Sequence, residues 1–431
     1  MNEMSRRIWW QVYPLGFCGA PVRPQSDTER QKMPRLDRLV NWLDYMKDMG
    51  CNGLLLGPIF DSDTHGYDTI DFYTIDPRLG DDASFDRLVT ACHEHGIALM
   101  LDGVFNHVGR DFPEFQSELK QAQAELEAGK PIEHSNDDMF SFSLAEDGTL
   151  EYEQFEGHAI LPAFNHDAPR VADLVTDVMT YWMRRGVDAW RLDAAMTVPA
   201  SFWAKVLPRV RHEVPGAWFM GEAIQGDYPE FVHDSTVDTV TQYELWKAIW
   251  SSLKDGNFFE LDWCLKRHNM FLQTFIPQTF IGNHDVTRVA SQIQDEEKLA
   301  MAAVVLFTVG GTPSIYYGDE RAMPGDKTDG VGGDDIVRPE YPERPGDLPR
   351  DGEWMYRLTS QLTAIRSARP WMVDATTEPT LLENRHYAYD VKARESNAKL
   401  HVDMNLDETP HADIYEDGNA TPLLHVEHRV S

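Results

Sequence analysis

The chain has 431 residues, 42% of them apolar, and a formal net charge of −32. That length exceeds one ordinary domain and accommodates a barrel with additions. The acidic balance argues against nucleic acid and anionic membranes as partners. Cys18, Cys51, Cys92 and Cys264 are scattered without metal-ligand spacing, which suits reduced thiols. No stretch approaches the length of a membrane span. The apolar run after Arg6 and Arg7 is short and broken by Gln11 and Pro14, unlike a signal peptide. The expectation is a cytoplasmic protein.

Ile8 to Tyr13 reads as a first strand, rich in strand-forming residues. Leu36 to Met49 has helical periodicity, and Gly50 ends it. Gly53 to Pro58 reads as a second, buried strand, Phe85 to His95 as a helix, and Ile97 to Asp102 as a third strand. This alternation implies a parallel sheet with right-handed crossovers. From His107 to about Leu161 the alternation lapses, with one helix expected over Glu114 to Ala128. Asp102 and Asp193 are 91 residues apart, where one barrel unit takes ~31. The surplus predicts an inserted subdomain over 107–165.

The alternation resumes with a helix over Ala168 to Arg185 and a strand within Gly186 to Ala195 that ends at Asp193. Trp218 to Glu222 is the fifth strand, with Glu222 one unit beyond Asp193. Thr239 to Tyr243 is the sixth, Phe280 to Asp285 carries the end of the seventh, and Ser314 to Tyr317 is the eighth. Gly318 to Pro349 is rich in Gly, Pro and Asp and reads as an exposed loop. Helices are expected over Glu297 to Thr308 and Trp354 to Ser367. Beyond Arg369 the pattern changes to short alternating runs such as Leu400 to Met404. The expected fold class is therefore α/β. It is a TIM (β/α)8 barrel over 1–106 and 166–369, with the insertion after strand three and a small antiparallel β domain over 370–431.

Strands three, four, five and seven thus end in Asp102, Asp193, Glu222 and Asp285 on the face where such barrels place their chemistry. Arg191 lies two residues before Asp193 and points to the same side. It would keep Asp193 ionised and aimed, as a nucleophile requires. His107, His284 and the loop His65-Gly66-Tyr67-Asp68 complete the set. Two carboxyls about 5–5.5 Å apart suit retaining glycoside hydrolysis. An acidic cluster with histidines is also compatible with a metal hydrolase, and a buried structural network is the third reading.

These stretches resemble the α-amylase family of glycoside hydrolases, family thirteen. The motifs are Asp102-Gly-Val-Phe-Asn-His107, Gly186 to Asp193, Phe219-Met-Gly-Glu222 and Ile281-Gly-Asn-His-Asp285. A fifth, Leu161-Pro-Ala-Phe-Asn165, is nearer the neopullulanase and cyclomaltodextrinase form than the oligo-1,6-glucosidase form. The resemblance implies Asp193 as nucleophile, Glu222 as acid/base and Asp285 as transition-state stabiliser. It implies that Arg191 orients Asp193 and that Tyr67, Asp68, His107 and His284 belong to the sugar-binding set. Asp335 and Arg338 look like the pair that reaches the sugar from the loop after strand eight, at a spacing one residue shorter than the family's. Asp102 has a supporting role.

Where many endo-acting α-amylases carry a Lys-His pair after the nucleophile, this chain has Ala195-Met196-Thr197. No cofactor is therefore expected to be required; a calcium site is left open but not predicted. The implied activity is a retaining glycoside hydrolase that cleaves α-1,4-glucosidic bonds in short α-glucans or maltooligosaccharides. The alternative is an α-glucan transglycosylase or sugar isomerase using the same covalent intermediate. Ala194, a small residue directly after the nucleophile, accompanies α-1,4 preference in related glucosidases.

Overall fold

Runs in which every residue is buried, such as Trp9–Val12 and Gly53–Leu56, need covering on both faces. A parallel barrel supplies it. The computed structural model describes residues 2–133, 135–407 and 410–427. Met1, His134 in the expected insertion, and 408–409 and 428–431 in the expected C-terminal domain lie outside the described residues.

The barrel strands are Trp9–Val12, Gly53–Leu56, Ala98–Gly103, Ala189–Leu192, Trp218–Gly221, Thr239–Val240, Gln278–Phe280 and Thr312–Tyr316. Apart from the sixth and seventh, each pairs in parallel with its neighbour, and the eighth with the first. Between the sixth and seventh the ring is closed by a parallel bridge of Thr241 to Gln278, with the Gln242 N–H donating to the Gln278 carbonyl at 2.9 Å.

Alternation along the strands sorts the side chains into two shells. Trp9, Leu55, Met100, Ala189, Trp218 and Met220 fill the barrel floor. Trp9 and Trp218 stack there with centroids 6.4 Å apart. Gly53 makes room for them, since a Cβ at that position would meet the Trp9 ring at 2.5 Å. Two residues further along the same inward rows stand Gln11, Asp102, Arg191 and Glu222, all buried. The floor is thus apolar and the C-terminal rim polar. The opposite row, including Trp10, Leu54, Leu99, Leu101, Trp190 and Leu192, packs under the surrounding helices.

Four local differences from the expected elements have identifiable causes. The helix expected over 36–49 is two short ones, Asp37–Val40 and Leu43–Asp48. Between them Trp42 packs on Trp10, Phe17 and Tyr341 and donates its indole N–H to the Pro342 carbonyl at 3.2 Å. After the second strand a hairpin, Phe60–Ser62 with Thr69–Ile75, presents the 65–68 loop to the rim. The sixth strand stops at Val240, and Tyr243 begins the helix Tyr243–Asp255 instead of ending a strand. The seventh strand ends at Phe280, so Asp285 sits on the following loop and not at the strand end.

Residues after His107 form the helix Pro113–Glu127 and the hairpin Phe142–Leu144 with Leu150–Tyr152. Phe112, Phe115, Phe140 and Phe164 cluster beneath them. Beyond the barrel, strands Thr376–Leu382, His386–Lys392, Lys399–Asn405, His411–Glu416 and Leu424–Glu427 form one antiparallel sheet. The sheet is pinned to the barrel where the Tyr389 and Thr308 hydroxyls meet at 2.7 Å. Among the described residues no helix is long and apolar enough to cross a membrane.

Candidate active site

Strand four ends at Leu192 and strand five at Gly221, so Asp193 and Glu222 emerge side by side at the rim. Arg191 lies between three carboxylates. One of its terminal nitrogens reaches both Asp102 oxygens, at 2.6 and 2.7 Å, and Asp193 Oδ1 at 3.2 Å. The other reaches Glu222 Oε1 at 2.6 Å. All four side chains are at least nine-tenths buried. The arginine therefore does not serve Asp193 alone, as the sequence suggested. It holds Glu222 more closely than Asp193.

Glu222 has two further donors. The Ala194 N–H reaches Oε2 at 3.0 Å, and the Tyr243 hydroxyl reaches Oε1 at 3.1 Å. Ala194 offers its N–H from a left-handed conformation, φ 44°. Side chains with a Cβ take up that conformation at a cost. The Tyr243 hydroxyl in turn accepts the Asn283 amide at 2.8 Å. Burial, followed by the Glu222 charge, pushes the Asp193 carboxyl well above the usual range, against the pull of Arg191. With one cation among three carboxylates, the site favours holding a proton.

A second chain of hydrogen bonds runs in from the opposite wall. The Gln11 amide donates to His284 Nδ1 at 3.2 Å, which leaves the proton on Nε2. Nε2 meets the Tyr67 hydroxyl at 2.5 Å, and that hydroxyl donates to Asp102 at 3.0 Å. The Tyr67 and His284 rings stack at 5.2 Å. Burial holds His284 well below its ordinary range, helped by the charges of Arg191, Arg338 and Lys327. The ring is neutral. His107 is also neutral, lowered to about 4 by burial. Its Nε2 donates to the Tyr67 carbonyl at 2.9 Å, and its ring stacks on Phe155 of the insertion at 4.4 Å. These rings are preset by protein partners and line the site as flat, uncharged walls.

Asp285 is half-exposed and lies against Lys327, which reaches its carboxylate and its carbonyl at 2.9 Å. Its charge also acts on Tyr243. Arg338 donates to the His284 carbonyl at 3.0 Å and lies 4.7 Å over the Tyr13 ring. Its carboxylate partners are Asp334, at 3.2 Å, and Asp285, at 3.8 Å, and not Asp335. Asp335 turns outward onto Arg23 at 2.7 Å. Asp68 faces its own turn, accepting Gly66 N–H at 3.1 Å and the Thr64 hydroxyl at 2.5 Å. It shapes the loop that presents Tyr67.

The structure thus brings Tyr67, Asp102, Arg191, Asp193, Glu222 and His284 into one network, with His107, Asp285 and Arg338 around it. Sequence reasoning missed Tyr243, Asn283, Gln11, Lys327 and Asp334. For Asp334 a signal existed, since the Asp335–Arg338 spacing was one residue short. Gln11, Tyr243 and Asn283 are ordinary residues in or just after strands, Lys327 lies in the loop after the eighth, and only tertiary contact selects them. Ala195 is buried and Met196 half-buried where a calcium-linked Lys-His pair would stand. Among the described residues no cluster of His, Cys, Asp or Glu is placed to hold a metal ion.

Residues 21–375 match the family model for the alpha-amylase catalytic domain. The maltogenic alpha-amylase of Bacillus acidopullulyticus is 30% identical over 345 residues, 75% of this chain and 57% of the relative. A cyclomaltodextrinase from a Bacillus species is 31% identical over 74% of this chain and 59% of its own. The chain spans a little over half the length of these curated relatives. Among solved structures, the ligand-free cyclic α-maltosyl-(1→6)-maltose hydrolase of Arthrobacter globiformis superposes with a TM-score of 0.79. That match covers 99% of this chain and 98% of the other at 23% identity, a likeness of fold. With its barrel, its rim of carboxylates and its motifs in order, the chain belongs to the alpha-amylase catalytic-domain family.

Proposed function

We propose that this chain is a retaining glycoside hydrolase that cleaves α-1,4-glucosidic bonds in short α-glucans. The observation that carries the reading is the shared guanidinium. Asp193 and Glu222 rest on different nitrogens of Arg191, at 3.2 and 2.6 Å. Carboxyls bridged in this way suit the ~5–5.5 Å of a retaining pair rather than the ~6.5–9.5 Å that admits an intervening water. Asp193 attacks the anomeric carbon while Glu222 gives its proton to the leaving oxygen, and a β-linked glycosyl-enzyme forms. Glu222 then takes a proton from water, which attacks the same carbon and restores the α configuration. Asp285 faces the positive charge that develops on the ring. Tyr67, His107 and His284 form the wall against which the donor sugar lies.

Relatives named maltogenic alpha-amylase and cyclomaltodextrinase support short α-glucans as substrates. Ala194 supports α-1,4 over α-1,6 linkage. A relative from Bacillus subtilis named intracellular maltogenic amylase supports a cytoplasmic location. No calcium is needed in this reading. Dialysis against a chelator should leave turnover intact, and loss restored only by calcium would contradict it.

The roles are tested with an α-glucosyl fluoride and azide. Glu222→Ala keeps its nucleophile, so azide intercepts the β-linked intermediate and yields the α-azide. Asp193→Gly forms no intermediate, so azide displaces fluoride directly and yields the β-azide. The opposite products would reverse the two roles. Chromatography of products from maltotriose and isomaltotriose tests the linkage; faster release from isomaltotriose would overturn it.

A further inference from the structure

The stretch 19–35, which follows the first strand and the short helix Pro14–Phe17, is neither strand nor helix. It is nevertheless tightly held. Arg78, fully buried, donates to the Pro21 and Val22 carbonyls at 2.8 and 3.1 Å. Asp76 and Ser62 fix that arginine in turn, each at 2.8 Å. Arg30 donates to the Ser62 and Asp63 carbonyls at 2.9 and 2.5 Å, and the Met33 N–H to the Pro77 carbonyl at 3.0 Å. The stretch is a strap fastened to the hairpin after strand two and to the turn that follows it.

From this strap Arg23 reaches the loop after strand eight. Its Nη1 meets both oxygens of Asp335, at 2.8 and 2.7 Å. The two residues are 312 positions apart in the chain. A half-exposed pair adds little to stability, but a guanidinium–carboxylate contact fixes geometry. Gly332, at φ 83°, lets its loop lie against the pair. A Cβ there would stand 3.2 Å from Asp335 Oδ2 and 3.6 Å from Arg23 Nη1.

The place of this bridge gives it a function. Asp335 adjoins Asp334, which Arg338 holds at 3.2 Å and which Lys327 ties to Asp285, at 3.0 and 2.9 Å. On the other side, burial lowers His65, and the charges of Arg338 and Arg23 lower it further. His65 belongs to the loop that presents Tyr67. The bridge therefore spans the mouth of the site beside Tyr67, His284 and Asp285. A general acid faces the oxygen it protonates, so the leaving part of the substrate departs toward Glu222. The donor part extends the other way, toward the bridge.

We propose that the Arg23–Asp335 bridge closes the donor side of the cleft, so that an α-glucan enters by its non-reducing end alone. The proposal rests on the glycosidase reading, which sets the donor on that side. A chain bound across its middle would have to pass between the strap and the loop after strand eight, where the bridge stands.

The test is hydrolysis of maltoheptaose with its non-reducing end either free or capped as an ethylidene acetal, followed by chromatography of the products. The unaltered protein should cleave the capped sugar slower than the free one by about a hundredfold. Arg23→Ala and Asp335→Ala, both at half-exposed positions, should each narrow that gap to about tenfold or less and release longer fragments. Arg23→Lys keeps a cation facing Asp335 and should restore much of the discrimination. Equal cleavage of both sugars by the unaltered protein overturns the closed donor side and leaves the glycosidase reading intact. Full discrimination retained by Arg23→Ala and Asp335→Ala overturns the role of the bridge. Cleavage of neither sugar by the unaltered protein rejects the glycosidase reading, and the proposal with it.

Discussion

Replacing Arg191 by Met would expose how much of the site's charge balance one side chain carries. The substitution removes the contacts at 2.6 and 2.7 Å to Asp102, 3.2 Å to Asp193 and 2.6 Å to Glu222. Three buried carboxylates then share no cation. Breaking a buried pair from one side costs ~3–5 kcal/mol. The carboxylates can escape part of that cost by taking up protons. The carboxyls of Asp102 and Asp193, already raised by burial in the native protein, would then rise further above their unfolded values near 4. A group whose native pKa is raised contributes stability that is complete below its unfolded pKa and lost as pH climbs through the native one. The deficit should therefore be small at acid pH and widen toward neutrality. The change is about 1.4 kcal/mol per pH unit for each extra proton held. Urea titration of the variant beside the wild type, at intervals from pH 5 to 7.5, measures it. A deficit that stays constant across that range would refute the argument and reduce Arg191 to packing.

Three further outcomes follow from the same geometry. Tyr243→Phe removes a hydrogen bond to Glu222 worth ~0.5–1.5 kcal/mol, so kcat on maltotriose should fall about two- to tenfold with little change in KM; an unchanged kcat would show that Glu222 needs no such partner. Ala194→Val forces a branched side chain into a left-handed backbone, costing ~1–2 kcal/mol, and should lower both Tm and kcat, whereas Ala194→Gly should raise Tm. His268 is buried, donates to the Gly310 carbonyl at 2.8 Å and is lowered to about 4. The unfolded chain thus binds more protons than the native one between about pH 6.5 and 4, and native stability should drop by ~3 kcal/mol across that window. His268→Gln should flatten that slope, and an unaltered slope would place the acid sensitivity elsewhere.

The barrel is legible in the sequence where pattern and chemistry coincide. Asp193 and Glu222 follow fully buried strands at one-unit spacing, and both stand at the rim as that spacing requires. The sixth and seventh strands have two and three residues. Runs that short carry no periodicity, and so Tyr243 looks like strand and Asp285 like a strand end. Trp42 is another such case. Its apolar neighbours repeat at helical spacing, but aromatic packing on three sides breaks the helix there. Arg191 was legible as a partner of Asp193 because the two share a strand. Its closer hold on Glu222 comes from the adjacent strand, which no local pattern records.

The seam between strands six and seven is the thinnest joint in the ring, carried by the Thr241–Gln278 bridge and the Gln242 amide. Tyr243, whose hydroxyl braces Glu222, is the next residue along the chain. Local opening begins where backbone hydrogen bonds are fewest. The first breath of the barrel on warming thus slackens Glu222 while Asp193, on the far side of strand five, keeps its place. Heat would silence this protein before it unfolds it, and the Gln242 amide would exchange with solvent as the warning.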